Sequence, residues 1–252
     1  MYLARRFPCI YKGLGFQSLL LVFTHALTAA PINPISTLSL GSNAVVDFES
    51  STFGSALNLL SAGAVTFGER FAGQALTTVG DFDRLSGLPA MGFTIVGGLP
   101  NQSLYINAFG LLGRDLNGVG PGGASAANGR GEGSMAALFD TDQSEVGMTF
   151  VGTNGGTATI SFFARDSILI DRIIVSLADA GISGAIDTYT FHRDGAVRDI
   201  AGFTVENDDP GGIGLDDVRY TSAVPEPVSV SYGAVGIIFG LIFRFVSRRR
   251  KS

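Results

Sequence analysis

Hydrophobic and polar residues alternate in short runs through the middle of the chain, and this spacing predicts β-strands. Thr157 to Ala164 (TATISFFA) is the clearest run, because every second residue from Ala158 onward is small or apolar and would share one face. Ile168 to Leu177 (ILIDRIIVSL) is apolar enough to be a central strand. Seven further segments also favour strands: Asn43 to Glu49, Gly92 to Val96, Ser103 to Phe109, Glu145 to Val151, Ala185 to Phe191, Ile200 to Val205 and Ile213 to Thr221. Turn residues separate them at short intervals, so the pattern predicts an antiparallel β-sandwich.

Other segments of the same region do not follow the strand pattern. Ala56 to Ala62 predicts a turn or two of helix. Gly110 to Gly133 is rich in glycine, which costs entropy to order, so we predict a long surface loop there. Asp140 to Glu145 begins like a calcium-binding EF-hand loop but lacks its later glycine and glutamate, and therefore predicts a polar turn. Six phenylalanines within apolar runs should form the core: Phe48, Phe67, Phe93, Phe150, Phe162 and Phe203.

The first 30 residues have the pattern of a secretory signal peptide. A basic start with Arg5, Arg6 and Lys12 precedes the apolar run Leu14 to Phe23, and the small-residue segment Thr24 to Ala30 follows. We therefore expect export of the chain and cleavage by signal peptidase between residues 28 and 30. A retained N-terminal anchor is the alternative, and the short apolar run disfavours it.

The last 29 residues combine three features in a fixed order. The tripeptide Pro225-Glu226-Pro227 comes first, and its prolines favour an extended, exposed chain. The run from Ser229 to Phe243 has no charge and predicts a single transmembrane helix. The chain then ends in a basic cluster, which should stay on the cytoplasmic side as a membrane stop: Arg248, Arg249, Arg250 and Lys251.

This arrangement from Val224 to Ser252 resembles the PEP-CTERM sorting signal of bacterial surface proteins. The resemblance implies that an exosortase, a membrane protease-transpeptidase, cuts near Pro-Glu-Pro. It also implies that the body then passes from the inner membrane to the cell surface or the extracellular space, commonly in bacteria that make exopolysaccharide. A plain C-terminal anchor that is never cut is the alternative. The predicted organisation is a signal peptide at 1–30, an extracellular domain at 31–223 and a sorting signal at 224–252.

The composition of the body narrows the classes of function. Residues 31–225 contain no Cys, Lys or Trp, and their nine arginines against 21 acidic residues give a formal charge of −12. Such a balance argues against a nucleic-acid partner, which needs clustered cations. It suits calcium, which prefers carboxylate and carbonyl oxygen.

Catalysis has little support in the sequence. His192 is the only histidine outside the signal peptide, and no Gly-x-Ser-x-Gly elbow is present. The setting of His192 at a strand end, with Asp187 and Asp194 near it in sequence, favours a structural or surface role. We therefore predict that the chain is not an enzyme. Carboxylate pairs for glycoside cleavage remain open, because the sequence does not give their separation.

The two ends of the body carry acidic residues on strand-like segments. Val45 to Glu49 (VVDFE) lies near its start, and Asn207 to Tyr220 lies near its end. These segments resemble the first and last strands of the galactose-binding-like jelly rolls found in many carbohydrate-binding modules. The resemblance implies that the two strands are neighbours bridged by an edge calcium, with Glu49 and Asp216 as ligands. A divalent ion would relieve the repulsion between crowded carboxylates.

Two further aspartates, Asp47 and Asp217, are possible helpers in that calcium site. The alternative interpretation is an Asx-type turn entering a strand, with Asp216 or Asp209 capping backbone amides. Calcium is thus the candidate structural cofactor, and polysaccharide is the candidate partner. The body has no Trp and only Tyr105, Tyr189 and Tyr220, which weighs against a sugar platform built on aromatic stacking.

Together these features predict an exported, non-catalytic surface or extracellular-matrix protein with a jelly-roll-like antiparallel β-sandwich. A true carbohydrate-binding module, a secreted glycan hydrolase and a purely structural matrix protein are the alternatives. The expected partners are signal peptidase, an exosortase and, transiently, the inner membrane.

Overall fold

The computed structural model of the chain describes residues 32–35, 44–99, 102–108, 113–126, 129–179 and 185–221. Within those ranges nearly all regular structure is β, and the one helix is a 3-10 turn at Asp194–Ala196. No helix in the described ranges has the length and hydropathy of a membrane span. The predicted signal peptide and the predicted sorting signal, with Pro225 to Pro227 and Arg248 to Lys251, lie outside the described residues.

The strands are numbered here in chain order. They are β1 (Ile32–Ile35), β2 (Ala44–Val46), β3 (Ala56–Leu57), β4 (Leu60–Ala62), β5 (Val65–Gly68), β6 (Arg70–Phe71), β7 (Ala75–Val79), β8 (Phe82–Ser86), β9 (Ile95–Val96), β10 (Leu104–Ala108), β11 (Arg114–Gly118), β12 (Met135–Gln143), β13 (Glu145–Thr153), β14 (Thr157–Phe163), β15 (Leu169–Ser176), β16 (Ala185–Arg193), β17 (Ile200–Asn207) and β18 (Gly214–Tyr220).

Most strands belong to one of two large antiparallel sheets. The first sheet has the order β1-β16-β13-β18-β11-β10-β3, with β2 also paired to β18. The second has the order β15-β14-β17-β12-β5-β4, and the pairs β6–β9 and β7–β8 form small separate ribbons. The two large sheets share one buried core, in which the rings of Phe162 on β14 and Phe191 on β16 have centroids 5.1 Å apart. The predicted antiparallel, sandwich-like all-β architecture is therefore confirmed.

Alternation along the chain accounts for which face each strand buries. On β14, Ala158, Ile160 and Phe162 are fully buried, as the sequence pattern predicts. The predicted phenylalanine core is likewise confirmed, because the six side chains are all buried: Phe48, Phe67, Phe93, Phe150, Phe162 and Phe203.

Two predictions about individual segments are wrong. The Ile168 to Leu177 segment forms β15 at the edge of the second sheet, where Ile174 is 65% exposed, and not a central strand. The Ala56 to Ala62 segment forms the short strands β3 and β4 and no helix. Both errors have the same cause, since the pairing of strands distant in sequence overrides local composition and propensity.

The glycine-rich segment at 110–133 is a surface loop only in part: residues 121–126 form exposed or half-exposed turns, as predicted, but the preceding residues form a strand. Its residues 114–118 form β11, which lies between β10 and β18 in the first sheet and is largely buried. A Cβ added to Gly118 would overlap the carbonyl oxygen of Gly133, and one added to Gly133 would overlap the backbone of Val119. Glycine at these positions therefore permits two backbone segments to pack directly on each other.

The predicted polar turn at Asp140 to Glu145 is much shorter in the structure. Strand β12 continues to Gln143 and β13 begins at Glu145, so only Ser144 separates them. Because β12 belongs to the second sheet and β13 to the first, the chain crosses between the two sheets at this residue.

Candidate cation-binding site

Strand β18 changes its partner at the two aspartates singled out in the sequence. It pairs with β13 along one side. On its other side residues 214–215 pair with β11 and residues 218–220 pair with β2. Asp216 and Asp217 thus fall between the ends of β11 and β2, and the predicted adjacency of the Val45 to Glu49 and Asn207 to Tyr220 segments is present as the β2–β18 pair.

A β-bulge distorts β18 at this point. Its pairing with β13 shifts register between Gly147 and Thr149, and Asp217 adopts a φ of 48°. The backbone amide of Asp217 donates to Oδ1 of Asp216 at 2.7 Å. Bulges turn side chains away from their regular alternation, and this one allows two successive aspartates to remain partly exposed inside a sheet.

Glu49 reaches the same place from the end of β2. Its Oε1 accepts the backbone amide of Arg114 at 2.8 Å, and its carbonyl oxygen accepts Nη1 of Arg114 at 2.6 Å. The same Nη1 also donates to the carbonyl oxygen of Ser51. These bonds fasten the chain after β2 to the first residue of β11, and they bring the Glu49 carboxylate to the gap opposite Asp216.

Asp115, the next residue on β11, adds a buried carboxylate that was missed in the sequence. It is only 3% exposed; its Oδ2 accepts Nδ2 of Asn117, and its Oδ1 has no hydrogen-bond partner among the described residues. Asp115 lies in the glycine-rich segment that was interpreted as a loop. Arg114 to Asn117 shows no alternation of apolar and polar residues, so the sequence carries no strand signal that could have identified it.

Electrostatics show that these carboxylates interact. The pKa of Asp216 is raised to about 7, first by burial and then by Asp217, Asp115 and Glu49. Burial likewise raises the pKa of Asp115 to about 6, although its bond with Asn117 opposes the shift. Glu49, Asp115 and Asp216, here called the acidic cluster, therefore resist being ionised together.

The four predicted ligands have different surroundings. Glu49 and Asp216 are brought together, and Asp217 lies beside them with Oδ2 bonded to Nη2 of Arg219 at 3.2 Å. Asp47 is exposed, and its Oδ1 accepts the backbone amide of Glu49 at 3.2 Å. The Asx-type turn considered as the alternative is present at Asp209, whose Oδ1 accepts the backbone amide of Gly211 at 2.8 Å. Across the described ranges, no three Asp, Glu, His or Cys side chains are close enough to hold a metal ion as they stand.

The donor set of the acidic cluster nevertheless matches calcium chemistry. It consists entirely of oxygen, and the orphaned Oδ1 of Asp115 is a buried acceptor that a cation would satisfy.

An open groove of about 560 Å³ is lined in part by residues 45–48 and 50–52, which flank Glu49 in the sequence, but Glu49, Asp115 and Asp216 themselves do not line it. Its floor includes Leu57 and Ile106, and its wall carries hydroxyl groups together with Asp47. The hydroxyl-bearing residues are Ser50, Ser51, Thr52, Ser55 and Ser61. The groove thus offers hydrogen-bonding groups near the chain segment that carries Glu49.

His192 lies far from this cluster in the sheet order, on β16. Its Nδ1 lies in direct contact with Oε1 of Glu145, the residue opposite it on β13. The two aspartates near it in sequence have other partners: Asp187 accepts Oγ1 of Thr153 at 2.9 Å, and Asp194 accepts Nδ2 of Asn33 at 2.5 Å. These contacts are those of a side chain that links two strands.

Comparison of the chain with models of known protein families, with curated proteins and with solved structures finds no match in any of the three. Its function therefore has to be inferred from the sequence and from the geometry described above.

Proposed function

We propose that the chain is an exported bacterial surface or extracellular-matrix protein without catalytic activity, processed by an exosortase at Pro225-Glu226-Pro227. The ordered sequence of motif, uncharged run and basic cluster carries this proposal. In the precursor, the uncharged run holds the body at the inner membrane, and Arg248 to Lys251 stay on the cytoplasmic side. Cleavage then passes the body to the cell surface or to an exopolysaccharide matrix.

The body of the protein is proposed to be a jelly-roll-like sandwich stabilised by calcium. The β2–β18 pairing and the meeting of Glu49 with Asp216 support this proposal. The proposed ligand set also includes Asp115, with Asp217 as a helper, because both carboxylates help to raise the pKa of Asp216. Asp47 would act indirectly, because its carboxylate is engaged in holding the backbone amide of Glu49. Bound calcium would neutralise the acidic cluster and thereby fasten the first and last strands of the body.

A calcium-stabilised carbohydrate-binding module is the second candidate function. The hydroxyl-lined groove of about 560 Å³ favours it, because saccharides are recognised through many hydrogen bonds. Retention of the purified chain on a polysaccharide column would support this function over a purely structural one. Turnover of a glycan that is lost on replacing a single carboxylate would instead indicate a hydrolase.

The sorting proposal is tested by intact-mass measurement of the protein from its native host, after fractionation into membrane, surface and medium. We expect a mature species that lacks the signal peptide, which is about the first 30 residues. It should also lack everything beyond the Pro-Glu-Pro motif. The variant Glu226→Ala should keep Arg248 to Lys251 and stay in the membrane fraction. The control Ser222→Ala, just outside the motif, should be processed normally. A wild-type protein that keeps the basic cluster in the membrane would reduce the C-terminus to a plain anchor.

A further inference from the structure

A second groove, of about 330 Å³, lies on the outer face of the second sheet. The β7–β8 hairpin covers part of this face, because the backbone amide of Leu85 donates to Oε1 of Glu206 at 2.6 Å and Nη1 of Arg84 donates to the carbonyl oxygen of Asn207 at 2.6 Å. The uncovered part is bounded by β14 and β15. Because Ala158 and Ile160 face the core, Thr157 and Thr159 of β14 face this groove.

Six polar side chains define what is here called the arginine groove: Arg84, Arg172, Glu206, Asp208, Thr157 and Thr159. Neither arginine forms an ion pair with a carboxylate among the described residues, although the body carries a formal charge of −12. Arg84 uses only Nη1, on the carbonyl oxygens of Asp83 and Asn207. Arg172 uses only Nε, at 3.0 Å from Oγ of Ser161. Each guanidinium carries five N–H donors, so both retain unused donors.

The two carboxylates of the arginine groove also retain unused acceptors. Glu206 accepts one bond through Oε1, from Leu85, and Asp208 accepts two through Oδ1, from the backbone amide and the hydroxyl of Thr157. The second oxygen of each carboxylate has no hydrogen-bond partner in the part of the chain that the structure describes. The guanidinium and carboxylate groups of the arginine groove therefore line the same cavity without forming hydrogen bonds to each other.

We propose that the arginine groove binds an acidic saccharide, with a uronate carboxylate held by Arg84 and Arg172 and the sugar hydroxyls donating to Glu206 and Asp208. This inference rests on the proposed function at an exopolysaccharide matrix and names the class of glycan. A guanidinium binds a planar carboxylate through two parallel hydrogen bonds, which gives both affinity and orientation. Carboxylate acceptors and the hydroxyl of Thr159 suit the donors and acceptors of a sugar ring.

The shape and composition of the arginine groove set its selectivity. Its volume is near the lower end of the range for small-molecule pockets, roughly 300–1,000 Å³, and suits one or two sugar units. No aromatic side chain lines it, so recognition depends on hydrogen bonds and not on stacking. A neutral sugar lacks the carboxylate that would form charge-assisted hydrogen bonds with the two guanidinium groups. A neutral sugar of the same size should therefore bind much more weakly.

The test is calorimetric titration of the full-length chain in detergent with trigalacturonate and with neutral galactotriose, at one fixed calcium concentration. We expect binding of trigalacturonate only. Arg172→Gln should weaken it by about tenfold or more, since a hydrogen bond to a charged group contributes roughly 1.5–3 kcal/mol. Arg198→Gln is the matched control, because Arg198 is exposed, lies outside the groove and bonds only to the carbonyl oxygen of Asp142. Arg84→Gln should act like Arg172→Gln, with a melting curve checking that the hairpin stays folded.

Three results would overturn the proposal: equal binding of galactotriose, no binding of trigalacturonate by the folded chain, or binding that Arg172→Gln leaves intact. The sorting proposal has a separate readout in the mass of the Glu226→Ala variant. A chain that is processed but binds no uronate would refute the groove alone. A chain that binds uronate but is never processed would refute the sorting alone.

Discussion

The carboxylate of Glu49 accepts the backbone amide of Arg114 at 2.8 Å, across 65 residues of sequence. The Arg114 side chain completes the link by donating to the carbonyl oxygen of Glu49 at 2.6 Å. Asp115 is the next residue after Arg114, and Asp216 of β18 lies close to both Glu49 and Asp115. The contact between Glu49 and Arg114 therefore brings three distant segments of the chain together. The acidic cluster therefore exists only in the folded protein, and a cation that binds there would favour folding.

The first prediction is that calcium raises the melting temperature of the chain. At a calcium concentration of 100 times its Kd, binding to one site contributes about 2.7 kcal/mol, or roughly 5–10 °C for a domain of this size. Asp216→Asn and Glu49→Gln should each reduce this increase. Thermal melting with calcium and with chelator measures it.

The control for the calcium prediction is Asp140→Asn. Asp140 is exposed on β12, and its carboxylate makes no hydrogen bond within the described part of the chain. This variant should keep the full calcium response. Identical melting of the wild-type protein with calcium and with chelator would show that the acidic cluster binds no calcium.

The second prediction concerns pH in the presence of chelator. The pKa of Asp216 is raised to about 7 and that of Asp115 to about 6, so the folded state binds protons more tightly than the unfolded chain. The stability from these groups is fully present below the ordinary carboxyl pKa of about 4, and it is lost as the pH rises through about 6 to 7. Urea unfolding at a series of pH values should show this decrease.

Asp216→Asn isolates the contribution of the cluster to that pH dependence. Burial also raises the pKa of Asp83 to about 6 and of Glu132 to about 7, so the variant should flatten the profile without abolishing it. Calcium should likewise flatten the wild-type profile, because the ion replaces the protons. A variant profile parallel to that of the wild type would mean that Asp216 titrates normally.

The strands that the sequence predicted are those in which side-chain alternation is the dominant signal. On β14 this signal is the apolar series from Ala158 to Phe162, and it reports burial directly. Strand β11 has no such series, because it consists mostly of polar residues and ends in a glycine that packs closely against other backbone. The sequence therefore did not predict this strand, and Asp115 within it was not recognised as a site residue. The edge position of β15 could not be predicted either, because the composition of a strand does not reveal whether it has a second neighbouring strand.

The site could be predicted from the sequence only where a resemblance supplied the geometry. Glu49 and Asp216 were named because first and last strands are adjacent in the fold that the sequence resembles. The arginine groove has no comparable signal, because Arg84 and Arg172 are far apart in sequence and meet only when the β7–β8 hairpin lies over the sheet. Both the acidic cluster and the arginine groove are formed by pairing between segments that are distant in sequence. The local sequence of each segment gives little indication of such pairing.

The third prediction tests the close packing of backbone in the glycine-rich segment. Gly133→Ala should destabilise the protein by about 3 kcal/mol or more, because its Cβ would overlap the backbone of Val119, which cannot move aside as a flexible side chain could. Gly80→Ala is the control: its Cβ meets nothing within 4 Å, and its φ of +64° costs only about 1–2 kcal/mol. Urea unfolding measures both. Equal losses would show that the segment is not packed as described.

The fourth prediction tests the packing of the two sheets on each other. Phe162 is fully buried between Phe191 of the first sheet and Phe203 of its own, with ring centroids 5.1 and 6.2 Å away. Phe162→Ala should therefore cost about 3–5 kcal/mol in the free energy of unfolding. A double-mutant cycle with Phe191→Ala should give a coupling of about 0.5–1.5 kcal/mol, because the rings interact beyond their burial.

Ile174→Ala on the neighbouring strand β15 is the matched control for that experiment. Ile174 is 65% exposed at the sheet edge, so its truncation should change the free energy of unfolding by no more than about 0.5 kcal/mol. A large loss of unfolding free energy in Ile174→Ala would mean that the face of β15 that carries Ile174 is covered by another part of the protein, as in a central strand. Absence of coupling between Phe162 and Phe191 would mean that the two sheets do not share one core.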